Sequence, residues 1–116
     1  MTAFDTADLP VYLRLRGVLS ASILDGHYRE GDQLPSVRAF AAAQNANPLT
    51  VAKAYQSLQE DGYVSVRRGV GMFVANGAAD RLRADERDRF LEQSWPRIRA
   101  HMDRIGIDLR SLAETV

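Results

Sequence analysis

Apolar residues recur in the first part of the chain at the spacing of one helix face. This face is formed by Tyr12, Leu15, Leu19 and Ile23. Spacings of three and four residues predict a first helix over about residues 10–25. We expect Asp8 to cap this helix, with Pro10 in its first turn and Gly26 as its stop.

Two shorter helices are predicted on either side of a break at residues 45–47. The first covers residues 37–44, begins after the N-cap Ser36 and places Val37, Phe40 and Ala41 on its apolar face. The second covers residues 48–61, with Asn47 as N-cap and Pro48 at the first helical position. Its apolar face consists of Val51, Tyr55 and Leu58.

A β-hairpin is predicted directly after these helices. Residues 63–67 alternate apolar and polar side chains, residues 68–71 form a turn, and residues 72–75 return. Three helices followed by a hairpin, with a short break between the second and third helices, predict a winged helix-turn-helix over residues 10–76. The predicted fold class is therefore mainly α with a small β hairpin.

The remaining residues, 77–116, are charge-rich and predict a helical tail. Its apolar seam consists of Leu91, Trp95, Ile98, Met102 and Ile105. Pro96 is expected to kink or split the helix, Gly106 to end it, and Asp108 to cap a last short helix. The apolar face of that last helix consists of Leu109, Leu112 and Val116. We expect the seam to pair with a second copy of the chain; the alternative is that it folds back onto the first helix.

Composition narrows the class of protein. The chain of 116 residues has no cysteine, which excludes disulfides and thiolate metal sites. Its first residues, 1–9, resemble a flexible N-terminus and not a signal peptide, and no run approaches the ~18 apolar residues of a membrane span. We therefore expect a cytoplasmic protein that does not enter a membrane.

The second and third helices carry polar side chains where a helix-turn-helix meets duplex DNA. Ser36 and Arg38 open the helix that crosses the DNA backbone, where they can reach a phosphate. The start or outer side of the next helix carries Asn47, Leu49, Thr50 and Lys53, in position to meet base edges. Leu49 has two interpretations: it contacts a thymine methyl, or it covers the surface of the domain.

The predicted hairpin has a basic tip. Arg67 and Arg68 are followed by Gly69-Val70-Gly71, which makes a narrow projection able to enter the minor groove. The alternative interpretation is a hairpin turn with incidental charge.

Net charge is zero, from 15 Lys and Arg against 15 Asp and Glu, which predicts weak non-specific binding to DNA. Zero net charge also leaves open the alternative that the winged helix binds another protein and not DNA. Fourteen of the cations are arginines, which suits guanine and phosphate recognition but is equally explained by GC-rich coding.

The sequence offers no enzyme or metal site. His27 and His101 are its only histidines, and neither has further ligands nearby in sequence. No nucleophile–base arrangement is apparent. We therefore expect no cofactor and no catalytic residue. A small-molecule effector near Trp95 remains a third interpretation of the tail.

Four linked motifs in residues 28–75 resemble the GntR family of bacterial regulators. They are LPS-x-R at 34–38, NP-x-TV-x-K-AY at 47–55, LQEDGY at 58–63 and RRG-x-G-x-FV at 67–74. The NP-x-TV-x-x-AY form and the short tail resemble the YtrA-type subfamily, since other subfamilies carry a large ligand-binding domain after the wing. The chain departs from the family pattern at Pro48, where many relatives have arginine, and at Val70, where short relatives often have lysine.

The resemblance implies a transcription regulator that acts as a homodimer on an inverted-repeat operator, with repression as the expected mode. It places the DNA contacts on Arg38, Asn47, Leu49, Thr50, Lys53, Arg68 and Gly69. It also implies that the tail helices pair two subunits. Such dimers read half-sites about one DNA turn apart, ~34–36 Å, or a multiple of it.

Overall fold

The computed structural model describes residues 9–115, within which six α-helices, a π-helical turn and one hairpin follow one another. They are α1 (Val11–Leu24), α2 (Val37–Gln44), α3 (Pro48–Glu60), β1 (Val64–Arg67), β2 (Gly71–Val74), α4 (Ala78–Arg89), the π-helical turn (Phe90–Ser94), α5 (Trp95–Ile105) and α6 (Leu109–Glu114). The chain forms two compact units, Leu9–Ala84 and, in its described part, residues 85–115. The predicted fold class is confirmed.

Side-chain caps set where α2 and α3 begin. The Ser36 hydroxyl accepts a hydrogen bond from the backbone N–H of Ala39 (3.0 Å), and the Asn47 side-chain oxygen accepts one from the N–H of Leu49 (2.8 Å). Both predicted starts are confirmed, because each cap satisfies a donor that the helix leaves free.

The start of α1 differs from the prediction. Its N-cap is Pro10, which makes no side-chain hydrogen bond, so the helix begins at Val11. The expected cap Asp8 lies outside the described residues, as do the first eight residues of the predicted flexible N-terminus and Val116 of the tail.

The core of the first unit is formed mainly by α1 and α3. Its largest fully buried side chains are Leu19, Ile23, Leu58, Leu82, Val51 and Val74. A polar clamp adds to this packing at the end of α3. The Arg16 guanidinium lies 2.6 Å from the Asp61 carboxylate and donates to the Ser57 carbonyl at 3.2 Å. The clamp joins α1 to the end of α3.

The hairpin pairs Val64 with Val74 and Arg67 with Gly71 in antiparallel register. Each strand begins one residue away from its predicted start, β1 later and β2 earlier. The loop before α2 also pairs with the hairpin: the backbone N–H of Leu34 donates a hydrogen bond to the Met72 carbonyl at 2.8 Å. The wing is therefore anchored on the side of α2.

The C-terminal helices change their backbone geometry just before Pro96. The α-helical ladder ends at Arg89, a π-helical turn follows, and Pro96 lies within the first two positions of α5. Because proline has no N–H to donate, it fits a helix start and not a helix interior. The predicted division of the helix near Pro96 is confirmed.

The end of α5 and the start of α6 agree with the sequence expectations. Gly106 adopts a left-handed conformation (φ +77°) that ends α5. The Asp108 carboxylate accepts a hydrogen bond from the N–H of Ser111 (2.7 Å), which starts α6 and lowers the pKa of that carboxyl. Within residues 9–115, no helix combines the length and apolar character needed to cross a membrane.

Candidate nucleic-acid interface

The short loop at residues 33–36 contacts three parts of the predicted interface. Gln33 donates a side-chain hydrogen bond to the Val70 carbonyl at the hairpin tip (3.0 Å). The Pro35 carbonyl accepts one from the Tyr55 hydroxyl on α3 (2.6 Å), and Ser36 caps α2. One loop thus fixes the hairpin tip, α3 and the start of α2 with respect to one another.

Tyr55 links α3 both to α2 and to the loop before α2. Its ring packs at a centroid distance of 6.0 Å from Phe40, and its hydroxyl is satisfied by the Pro35 carbonyl. Burial, followed by the neighbouring Tyr28, raises the pKa of Tyr55 to about 12. The phenol therefore stays neutral and keeps donating its hydrogen bond over the whole physiological range.

Arg38 lies in the first turn of α2 and is exposed. Its guanidinium makes no ion pair or hydrogen bond with any residue in the described range 9–115. A phosphate next to the capped start of α2 would meet both this cation and the free N–H groups of the first helical turn. The predicted position of Arg38 therefore suits a phosphate contact.

The first turn of α3 presents few donors. The oxygen of Asn47 is occupied by its cap, which leaves the amide NH₂ free, and Pro48 has no N–H. Leu49 is 80% exposed and Thr50 is half-buried. At this exposure Leu49 packs against little of its own domain, which favours the interpretation in which it contacts a thymine methyl.

Lys53 lies on the exposed side of α3, one turn after Leu49. Its ammonium group stands 4.2 Å from the centroid of the Tyr12 ring, at the start of α1. This cation–π contact positions the ammonium group over the aromatic face. Sequence reasoning placed Tyr12 only on the core face of α1 and missed this contact.

The two arginines of the hairpin differ in their surroundings. The Arg67 guanidinium lies 4.1 Å from the centroid of the Phe73 ring, whereas Arg68 at the turn has no partner among the described residues. Gly69 takes a left-handed conformation (φ +77°), and the N–H of Val70 closes the turn on the Arg67 carbonyl at 2.9 Å. Arg68 is thus the freer cation of the pair.

Gln33 is an additional residue that the sequence did not point to. It forms a β-bridge with Phe73, and its side-chain amide lies so close to Gly71 that a Cβ at that glycine would meet the amide nitrogen at 2.4 Å. Its partners are 37 and more residues away, and no local motif marks such a contact.

The residues predicted for dimerisation lie in the second unit and show a gradient of exposure. Met102 is buried, Trp95 and Ile98 are half-buried, and the other four are exposed: Leu91, Ile105, Leu109 and Leu112. His27 and His101 are exposed, and within residues 9–115 no group of three His, Cys, Asp or Glu side chains is arranged to hold a metal ion.

Comparison with known proteins places this geometry in a family. The sequence profile described as "Bacterial regulatory proteins, gntR family" matches residues 11–74. The HTH-type transcriptional repressor YtrA of Bacillus subtilis is 29% identical over 107 residues, which cover 92% of this chain and 82% of YtrA. This coverage of both chains agrees with the short, YtrA-type subfamily.

Two solved structures extend the comparison to the fold and to DNA. A GntR family transcriptional regulator from Listeria monocytogenes superposes with a TM-score of 0.75 and 26% identity, covering 96% of this chain and 95% of that one. The DNA-binding domain of AraR, solved in complex with operator ORE1, superposes with a TM-score of 0.56 and 25% identity, over 58% of this chain and 82% of that one. From the profile match, the winged helix and these relatives, we conclude that the chain belongs to the GntR family and is a DNA-binding transcription regulator, not an enzyme.

Proposed function

We propose that this regulator acts as a homodimer that represses transcription from an inverted-repeat operator. The observation that carries the proposal is the loop at residues 33–36, because it joins the hairpin tip, α3 and the start of α2 into one presenting face. We assign the DNA contacts to that face: Ser36, Arg38, Asn47, Leu49, Thr50, Lys53, Arg67, Arg68 and Gly69. A rigid face lowers the ordering cost of binding.

Charge on this face supports contact with phosphates. Arg38 and Arg68 are exposed and pair with no carboxylate in the described part of the chain. Lys53 adds a third cation, held by an aromatic ring and not by an acid. Although the net charge of the chain is zero, these cations have no acidic partner among the described residues. Cations of this kind are what sequence-independent binding to the DNA backbone requires.

The second unit supports the homodimer. Met102 is the one buried residue among residues 85–115, so this unit cannot form a hydrophobic core by itself. Its exposed large apolar side chains are Phe90, Leu91, Ile105, Ile107, Leu109 and Leu112. We propose that a second copy of the chain covers them through a self-complementary interface, which places two winged helices in one two-fold particle.

The relatives support the remaining parts of the proposal. YtrA is named a transcriptional repressor, and AraR was solved with an operator. By similarity we propose that this chain also represses, and that it acts in the cytoplasm, where the chromosome is accessible to it.

The test combines affinity with oligomeric state. Arg38→Ala and Lys53→Ala are each expected to weaken operator binding by about tenfold and to lower the salt dependence by about one released counterion. The matched control is Arg83→Ala, which removes an exposed arginine on α4 that is paired with Asp80. Sedimentation is expected to show dimers for all three variants. Unchanged affinity for both Arg38→Ala and Lys53→Ala contradicts the assigned face.

A further inference from the structure

Leu49 is more exposed than any other large apolar side chain that the structure describes. At 80% it exceeds Val70 at the hairpin tip (61%) and Leu109 in α6 (60%). It sits in the first turn of α3, on the side opposite the buried Val51 and Tyr55. At this exposure the side chain adds little to the core, and most of its apolar surface is available to whatever binds this end of α3.

Among the residues of the first turn of α3, Leu49 presents the largest exposed apolar side chain. Pro48 carries no donor, and the Asn47 oxygen is engaged in the cap. Thr50 is half-buried, and the Lys53 ammonium lies over the Tyr12 ring a full turn away. The end of α3 that enters the major groove in a helix-turn-helix therefore presents the apolar Leu49 side chain beside the free amide NH₂ of Asn47.

The major groove offers one apolar group to such a surface. Base edges there present hydrogen-bond donors and acceptors, and only thymine adds a C5-methyl group. We propose that Leu49 reads the C5-methyl group of one thymine in each half-site. This inference rests on the proposed DNA-binding face and names the base chemistry that its first helical turn recognises.

The test is a uracil scan of the operator, since uracil is thymine without the methyl group. An operator is first selected from random duplex DNA, and each thymine of the half-site is then replaced singly by deoxyuridine in both half-sites. We expect one position at which the wild-type protein binds about fourfold more weakly per half-site, as removal of one buried methyl group predicts. With Leu49→Ala, that position is expected to show no uracil effect.

Two control variants identify the residue responsible. Val70→Ala truncates another exposed aliphatic side chain and is expected to leave the uracil effect intact. Thr50→Ser removes the methyl group of the neighbouring, half-buried Thr50 and is expected to leave the uracil effect intact as well. A uracil effect that is lost in Thr50→Ser and kept in Leu49→Ala overturns the assignment to Leu49.

The remaining outcomes separate this inference from the proposed function. A selected operator that is bound tightly, with no uracil effect or with no thymine in the half-site, overturns the role of Leu49 and leaves the regulator as proposed. An equal loss for Leu49→Ala on thymine and uracil operators also overturns it. Failure to select any operator contradicts the proposed function itself, and the inference falls with it.

Discussion

The ammonium group of Lys53 lies 4.2 Å from the centroid of the Tyr12 ring, which joins the exposed side of α3 to the start of α1. An exposed cation–π contact contributes about 0.5–1 kcal/mol. It restricts a flexible lysine to the side of α3 that we assign to DNA. We therefore expect Tyr12 to affect DNA binding through the position of Lys53.

Tyr12→Leu is accordingly expected to weaken operator binding by about two- to fivefold. Tyr12→Phe keeps the aromatic face and is expected to bind like the wild type. In a Lys53→Ala background, Tyr12→Leu is expected to add no further loss. Fluorescence anisotropy on the four combinations measures the coupling; equal losses in both backgrounds show that Tyr12 acts independently of Lys53.

Gln33 is expected to position the wing. Its hydrogen bond to the Val70 carbonyl holds the tip next to Arg68. Gln33→Ala is expected to weaken DNA binding by about threefold, because one hydrogen bond contributes about 0.5–1.5 kcal/mol. This loss is expected to be smaller than that of Arg68→Ala. With Arg68→Ala already present, Gln33→Ala is expected to have no effect on affinity. A similar loss in that background indicates a general structural role, which a lowered melting temperature would reveal independently.

The raised pKa of Tyr55 predicts that the folded protein loses stability in strong alkali. Its pKa is raised from the ordinary 10 to about 12 in the folded protein, so the folded state holds the phenolic proton more tightly than the unfolded state. The resulting stabilisation is fully present below pH 10 and is lost as the pH rises from 10 to 12. Tyr55→Phe keeps the ring and removes this ionisation.

Denaturant unfolding at several pH values checks the prediction. The stability difference between wild type and Tyr55→Phe is expected to be constant below about pH 9 and to move in favour of Tyr55→Phe between pH 10 and 12. A constant difference over that window contradicts the assigned pKa. The comparison isolates Tyr55, since every other titrating group is common to both proteins.

The exposed apolar side chains of the second unit predict a mutation that dissociates the dimer. Ile105→Asp places a charge in the proposed seam, whereas the matched control Ala100→Asp places it on an exposed position of α5 away from the seam. Ile105→Asp is expected to give a monomer that binds the full operator at least tenfold more weakly, because the second half-site is no longer linked to the first. Ala100→Asp is expected to remain a dimer. Sedimentation at micromolar concentration measures the oligomeric state of both variants. A dimeric Ile105→Asp contradicts the proposal that this seam forms the dimer interface.

The sequence predicts best what neighbouring residues determine. The starts of α2 and α3 follow from Ser36, Asn47 and Pro48, because a cap and the helix it starts are adjacent in the chain. The end of α5 at Gly106 follows for the same reason. The start of α1 was predicted less well, since Pro10 takes the capping position without a side-chain bond.

Contacts between segments that are distant in the chain cannot be predicted from a local sequence pattern. Gln33 with Val70 and Lys53 with Tyr12 each join residues about forty positions apart, and both depend on side-chain direction in the folded state. The sequence likewise placed Leu49 on the outer side of α3 but left its role open. Its exposure in the structure favours the interpretation as a DNA contact, which stays a prediction. The sequence thus indicated the candidate face, but the contacts that hold its cations in place came from the structure.

The most direct test of the proposed dimeric regulator is selection of bound duplexes from a random DNA pool by the purified protein at ~150 mM salt. The proposal predicts an enriched site with two-fold symmetry, whose half-sites are centred about one helical turn apart or a multiple of it. A folded protein that enriches no sequence, or one that enriches a single unrepeated site, contradicts a homodimer acting on an inverted repeat.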